Sequence, residues 1–334
     1  MKAYEIRDAF GIDALTLSDR PDPAPAPGQV LVKTRAISLN FRDLLVVKGD
    51  YNRKLPLPIV PCSDCAGEVA AVGDGVTRVK TGDRVAGIFM QTWIDGDLSE
   101  SKARSALGGG AGGVLADTVL LHENGLVPIP AHLSFLEAAT LPCAAVTAWH
   151  ALITEGRLAP GDAVVTLGSG GVSLFALQFA RLAGARVIAT SSSDDKLSKL
   201  RALGASDGIN YKTIPAWDKR VRELTGAGAS HIVEVGGSGT LPQSMKAVRM
   251  GGTISLIGNV AGHGDVNPVP LLMKNVRLQG IFVGSREMFE AMNRAIVTHE
   301  LRPVVDRVFP FVEAREAMRY MESGMHFGKI CIEV

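Results

Sequence analysis

Four cysteines in a chain of 334 residues do not make a disulfide framework. Long apolar runs are missing too. A membrane helix needs roughly 18 or more such residues, and the best stretch, Val172 to Ile188, is interrupted by Gln178, Arg181 and Arg186. The opening residues, Met1 to Asp8, lack the apolar core of a signal peptide. A soluble, cytosolic protein with no membrane partner is expected. Charge of one sign is also lacking: 35 basic and 34 acidic residues leave a net charge of +1, with no basic tail or stripe. Sequence-independent nucleic-acid binding needs Lys and Arg to neutralise phosphates, so this balance argues against a dedicated DNA or RNA binder. A small anionic ligand held by a few local groups is not.

Glycine is what the chain has in quantity, at 37 residues, which signals many turns and close backbone approaches. The length fits about two domains. The first part reads as β-rich. Strands at Val30–Ala36, Gly67–Val72 and Asp83–Gly87 are separated by Gly- and Pro-containing turns, which suggests a barrel or sandwich. Residues 95–113, polar and then glycine-rich, read as a flexible loop. From Ser134 the pattern changes. Ser134 followed by Glu137 has capping-box spacing, and a helical run continues to about Glu155. Six apolar strands follow, at Ala163–Leu167, Arg186–Thr190, Gly208–Tyr211, His231–Val235, Thr253–Ile257 and Leu278–Val283. With helical or loop segments between them, they predict an α/β fold with a doubly wound parallel sheet. The last part carries a helix at Arg315–Met321 and a strand near Lys329–Val334.

The first of the six strands runs directly into Gly168-Ser169-Gly170-Gly171-Val172-Ser173. This is a Gly-x-Gly-x-x-Ser turn. Gly168 permits the tight turn, Gly170 lets backbone approach a pyrophosphate, and Ser173 is small enough for close helix–strand packing. The helix that begins there points unpaired N–H groups at the phosphates. A bare glycine turn is the alternative, and the five further strands argue against it. The second strand ends in Ser191-Ser192-Ser193, with no acid at the tip to pair with ribose hydroxyls. Ser191, Ser192, Lys196 and Tyr211 are candidates to receive a 2′-phosphate, which predicts NADPH over NADH. Ser193 also reads as a helix cap, and Lys196 reads equally as a solvated helix charge.

At this point the chain resembles the medium-chain dehydrogenase/reductase superfamily over nearly its whole length. The matching residues are Gly67-Glu68-Val69-Ala70-Ala71-Val72-Gly73, then Gly82-Asp83-Arg84-Val85, then Leu141-Pro142-Cys143 with Thr147-Ala148-Trp149. The resemblance implies a GroES-like catalytic domain at residues 1–130, completed by 286–334, and a Rossmann domain at 131–285. Zinc-dependent members place Gly-His-Glu just before the glycine at position 67, and here the triplet is Cys62-Ser63-Asp64. Their first zinc cysteine falls on Asn40, and only Cys143 matches a third ligand. One thiolate does not replace three protein ligands, so no metal site is expected. Cys62-x-x-Cys65 alone is a weak zinc signal. His150, His231 and His299 show no ligand spacing.

Without zinc, the chain is most similar to the NADPH:quinone oxidoreductase branch. That implies hydride transfer to a quinone or enone, with side chains donating to the acceptor oxygen. The resemblance assigns Asn40 and Tyr51 as donors and Thr147 as a nicotinamide neighbour. Arg42 and Asp43 stay open between a catalytic role and a structural ion pair. Gly258 and Asn259 end the fifth strand, and Phe282 and Val283 end the sixth; these should complete the cofactor site. In Phe327-Gly328-Lys329, Lys329 either reaches the cofactor or is a solvated lysine. A homodimer formed through the Leu278–Val283 strand is implied. The competing readings are a metal-free NADP-dependent alcohol or aldehyde dehydrogenase and an NADPH-binding structural or regulatory protein.

Overall fold

Alternating burial along Gln29–Ser38 makes this ten-residue strand the organiser of the first region. In the computed structural model, which describes residues 1–262 and 264–334, it pairs antiparallel with Asp64–Val72, Thr118–His122 and Lys329–Glu333. Register shifts between Leu31 and Val32 and between Thr34 and Ala36 let one strand serve so many partners. Arg84–Gly87, Leu126–Pro128 and Val305–Pro310 complete a seven-stranded sheet. The register matters for function: Ser38 lies opposite both Asp64 and Cys331, so the chain around residues 40, 64 and 329 meets at one sheet end.

The second region is a six-stranded sheet in the order Asp207–Asn210, Arg186–Ser191, Ala163–Leu167, Ala229–Glu234, Val248–Leu256, Arg277–Gly280. All its pairings are parallel. Numbered along the chain, this is 3-2-1-4-5-6, the doubly wound order, whose reversal between the first and fourth strands creates a ligand crevice at the strand ends. The chain divides into two compact units, Met1–Val146 with Gly284–Val334, and Thr147–Val283. The first break therefore comes after Val146, where the sequence put it at 130. The intervening helix Phe135–Ala139 packs on Gln29–Ser38 and Asp64–Val72 of the first unit.

The helical run begins as expected: Ser134 Oγ accepts from Glu137 N, and the Glu137 carboxylate accepts from Ser134 N. It then passes through π-helical stretches at Leu141–Ala145 and His150–Thr154. Pro142 has no N–H to give a regular α-helix, which is a local reason for the wider turn. Two expectations change. The loop at 95–113 contains a short helix, Glu100–Ala103, and its residues Ala106 to Gly109 are buried. A Cβ at Gly109 would lie 2.1 Å from Arg42 Nη2, so glycine here allows tight packing and does not signal mobility. A helix at Arg286–Thr298 was also not anticipated, although Ser285 caps it and Phe289, Met292 and Ile296 form its buried face.

Candidate active site

In the unit Thr147–Val283 the candidate nucleotide surface is built from backbone. Leu167 ends its strand, Gly168 takes φ +74°, and the twelve-residue helix Gly171–Leu182 starts after Gly170. Ser173 is buried and donates to Leu167 O at 2.6 Å, which ties helix to strand from inside the turn. A Cβ placed on Gly168 or Gly170 would meet nothing within 4 Å. Open space in front of two glycines at a helix N-terminus fits a pyrophosphate.

The ends of Arg186–Ser191 and Asp207–Asn210 lie side by side, and Tyr211 N donates to Ser191 O at 3.0 Å. Ser191 is buried, and its Oγ accepts from Ser193 N. Ser192 and Lys196 are half-buried, and Tyr211 is exposed. Ser193 does cap the next helix, accepting from Lys196 N. Asp194, in its first turn, accepts from Asn210 Nδ2 at 2.9 Å. Gly258 and Asn259 line a 410 Å³ cavity with Gly237, Ser238 and Leu241. Asn259 Oδ1 accepts from Ser238 N, 3.3 Å away.

Two further residues shape this unit. Glu234 is fully buried, and its carboxylate accepts from Gly236 N, Gly237 N, Thr240 Oγ1 and Ser244 Oγ. It therefore folds the loop that lines the cavity. Its signal in sequence was an acid at a strand end before two glycines. His150, which shows no ligand spacing in the sequence, is buried with Nδ1 2.7 Å from Val283 O. Burial holds its pKa below the ordinary histidine value, so the neutral ring donates there. Val283 has φ +57°, a left-handed conformation unusual for a β-branched residue. The neighbouring Phe282 is 40% exposed. Thr147 is buried in the helical turn Val146–Trp149.

In the other unit, side chains make the site. Asn40 precedes helix Phe41–Lys48, and its N–H donates to Asp43 Oδ2 at 2.8 Å. Lys329 is 3% exposed, and its ammonium donates to Leu39 O and Asn40 Oδ1, both at 2.6 Å. It is neither solvated nor turned outward. Ser63 Oγ lies 3.5 Å from Asn40 Nδ2 and donates to Asp64 Oδ1 at 2.6 Å. Asp64 Oδ2 accepts from Cys143 N. Burial pushes both acids up, Asp43 to about 7, while Arg42 opposes the rise at Asp43 and Lys329 opposes it at Asp64.

Arg42 and Asp43 do not form the ion pair left open by the sequence. Successive helical residues point in different directions. Asp43 goes to the helix start, and Arg42 Nη1 donates to Leu107 O. The Arg42 guanidinium lies 5.0 Å from the ring centre of Tyr51 and 4.7 Å from that of Phe89. Tyr51, 44% exposed, thus leans on a fixed cation.

A zinc ion does not fit this cluster. Of the three positions matched to zinc ligands, only Cys143 carries a thiol, and burial pushes its pKa up. Cys62 and Cys65 are buried thiols shifted in the same direction. Among the described residues, no three His, Cys, Asp or Glu side chains are grouped to hold a metal.

Residues 26–131 match the alcohol dehydrogenase GroES-like domain model, and 171–298 match the zinc-binding dehydrogenase model. A zinc-type alcohol dehydrogenase-like protein of Schizosaccharomyces pombe is 46% identical, covering 99% of each chain. A quinone oxidoreductase of Rattus norvegicus is 30% identical over 99% of this chain and 97% of its own. Among solved structures, an NAD-dependent alcohol dehydrogenase matches with a TM-score of 0.91 and 35% identity, covering both chains fully. The 2-octenoyl-CoA carboxylase reductase CinF, in complex with NADP and 2-octenoyl-CoA, matches with a TM-score of 0.91 and 27% identity, covering 99% of this chain and 87% of that one. With both domain models matched and a full-length relative at nearly half identity, this chain belongs to the medium-chain dehydrogenase/reductase superfamily and is an oxidoreductase.

Proposed function

We propose that this protein uses NADPH to reduce a quinone or other enone-type acceptor without zinc. The observation that carries the reading is the cluster around Asn40, where Asn40 and Ser63 stand at positions matched to metal ligands and Lys329 donates to Asn40 Oδ1. The quinone oxidoreductase relative and the enoyl-CoA ligand of CinF support the acceptor class. The NADP of CinF, together with serines at the tip of Arg186–Ser191, supports the phosphorylated cofactor. Gly168 to Val172 would hold its pyrophosphate, and Ser191, Ser192, Lys196 and Tyr211 its 2′-phosphate.

Bound NADPH supplies a hydride; the acceptor gains that hydride and a proton, and NADP⁺ remains. Negative charge develops on the acceptor oxygen during reduction. Conjugation spreads that charge, so less of it falls on the hydrogen-bond donors than with an isolated carbonyl. The Asn40 amide and the Tyr51 hydroxyl are the donors in this reading. The edge strand Arg277–Gly280 ends its sheet beside the exposed Leu272 and Met273, which supports pairing with a second copy as a homodimer. Among the described residues no helix is long and apolar enough to cross a membrane, and four free thiols suit a reducing cytosol.

A second reading is a metal-free alcohol or aldehyde dehydrogenase; the names of the 46% and 35% identical relatives support the alcohol dehydrogenase part of it, although the first is called zinc-type. Following NADPH and NADH absorbance with 1,4-quinones, enones and simple aldehydes separates the two. Quinone or enone turnover with NADPH preferred about ten- to hundredfold supports the proposal. Turnover of aldehydes alone, or equal use of NADH, overturns it.

A further inference from the structure

The buried Lys329 balances part of the charge of the buried Asp43 and Asp64, yet its ammonium donates to neither of them. A lysine 3% exposed loses most of its hydration, and such burial needs a compensating use. Both acceptors of its ammonium are neutral oxygens, Leu39 O and Asn40 Oδ1. The nearby carboxylates have partners of their own: Asp43 takes Asn40 N, while Asp64 takes Ser63 Oγ and Cys143 N and is also held by the Asn40 side chain, and the Lys329 charge favours the ionised form of both. The ammonium thus sits where hydrogen bonds fix the orientation of one amide. With Oδ1 facing Lys329, Nδ2 must be the donor end, and Ser63 stands beside it.

We propose that Lys329 is a positioning residue which serves as the resident cation of this cluster, holding Asn40 so that its Nδ2 end is the one offered to the acceptor. The proposal rests on the reductase reading above. A point charge with three donors on a flexible stem does this with no ligand set. Polarising Oδ1 also makes the Nδ2 protons better donors, because linked hydrogen bonds strengthen one another.

The test compares Lys329→Met, which keeps the stem and removes the charge, with Lys329→Ala. For Lys329→Met with an unchanged thermal midpoint, kcat for the accepted quinone should fall about 10–100-fold with KM for NADPH unchanged. Lys329→Ala should recover part of its turnover in ethylammonium chloride, and none in sodium chloride of equal ionic strength. A folded Lys329→Met with full kcat overturns the proposal, as does Lys329→Ala that ethylammonium leaves inactive. If the wild type reduces no quinone or enone, the reductase reading fails by itself. The crystal structure of Lys329→Met then decides the positioning role: an Asn40 amide that turns or becomes disordered supports it, and an unmoved one overturns it.

Discussion

The two compact units carry candidate ligand surfaces made of different materials. In Thr147–Val283 the ligand surface is backbone: two glycines facing open space and a helix start. In the other unit it is a buried web of side chains, Asn40, Ser63, Asp64 and Lys329, each oriented by another. A backbone surface tolerates no added atoms but asks little of its neighbours. A side-chain web tolerates local substitution poorly, because each loss leaves a buried partner unsatisfied.

Substitutions can break this contrast from either side. The largest effect is expected from Gly170→Ala, which should weaken NADPH binding about 10–100-fold by calorimetry while the melting temperature holds, since the added Cβ meets nothing within 4 Å. Asn40→Ala should do the reverse, lowering kcat about 10–100-fold with NADPH affinity nearly intact. Tyr51→Phe should lower kcat about tenfold, because it keeps the ring on Arg42 and removes only the hydroxyl. If neither variant changes turnover, the donor assignment is wrong.

Asp43 gives a pH readout. Its folded pKa, raised to about 7 by burial, lies above that of an unfolded carboxylate. Its contribution to stability is therefore full below about pH 4 and lost as pH rises through about 7. Melting curves between pH 5 and 8 should show a decline in the wild type that Asp43→Asn flattens. The smallest effect is expected from Ser173→Ala, a loss of about 1 kcal/mol in denaturant unfolding from the missing bond to Leu167 O.

The contrast also explains what was legible in the sequence. The glycine turn and the six strands were, because adjacent residues make the turn and apolar runs bounded by turns mark the strands. The web was not. Its members come from positions 40, 63, 64 and 329, and only the pairing of Gln29–Ser38 with two other strands brings them together. Asn40 and Lys329 both stood out through the family resemblance, the latter in Phe327-Gly328-Lys329, but the motif did not show that its ammonium turns to Asn40 Oδ1. The glycines at 108–113 misled for a related reason: composition does not distinguish a glycine that frees the chain from one that admits a guanidinium.

Quinones and enones are soft electrophiles that add covalently to thiolates, so a reductase of such compounds risks suicide inactivation. This chain has four cysteines, three buried and Cys143 half-buried. Burial pushes every one of their pKa values up, Cys331 to about 11 and Cys65 to about 12. At neutral pH they remain thiols, a poor nucleophilic form. The same packing that assembles the polar web thus shields the sulfur atoms beside it from alkylation by the molecules it is proposed to handle.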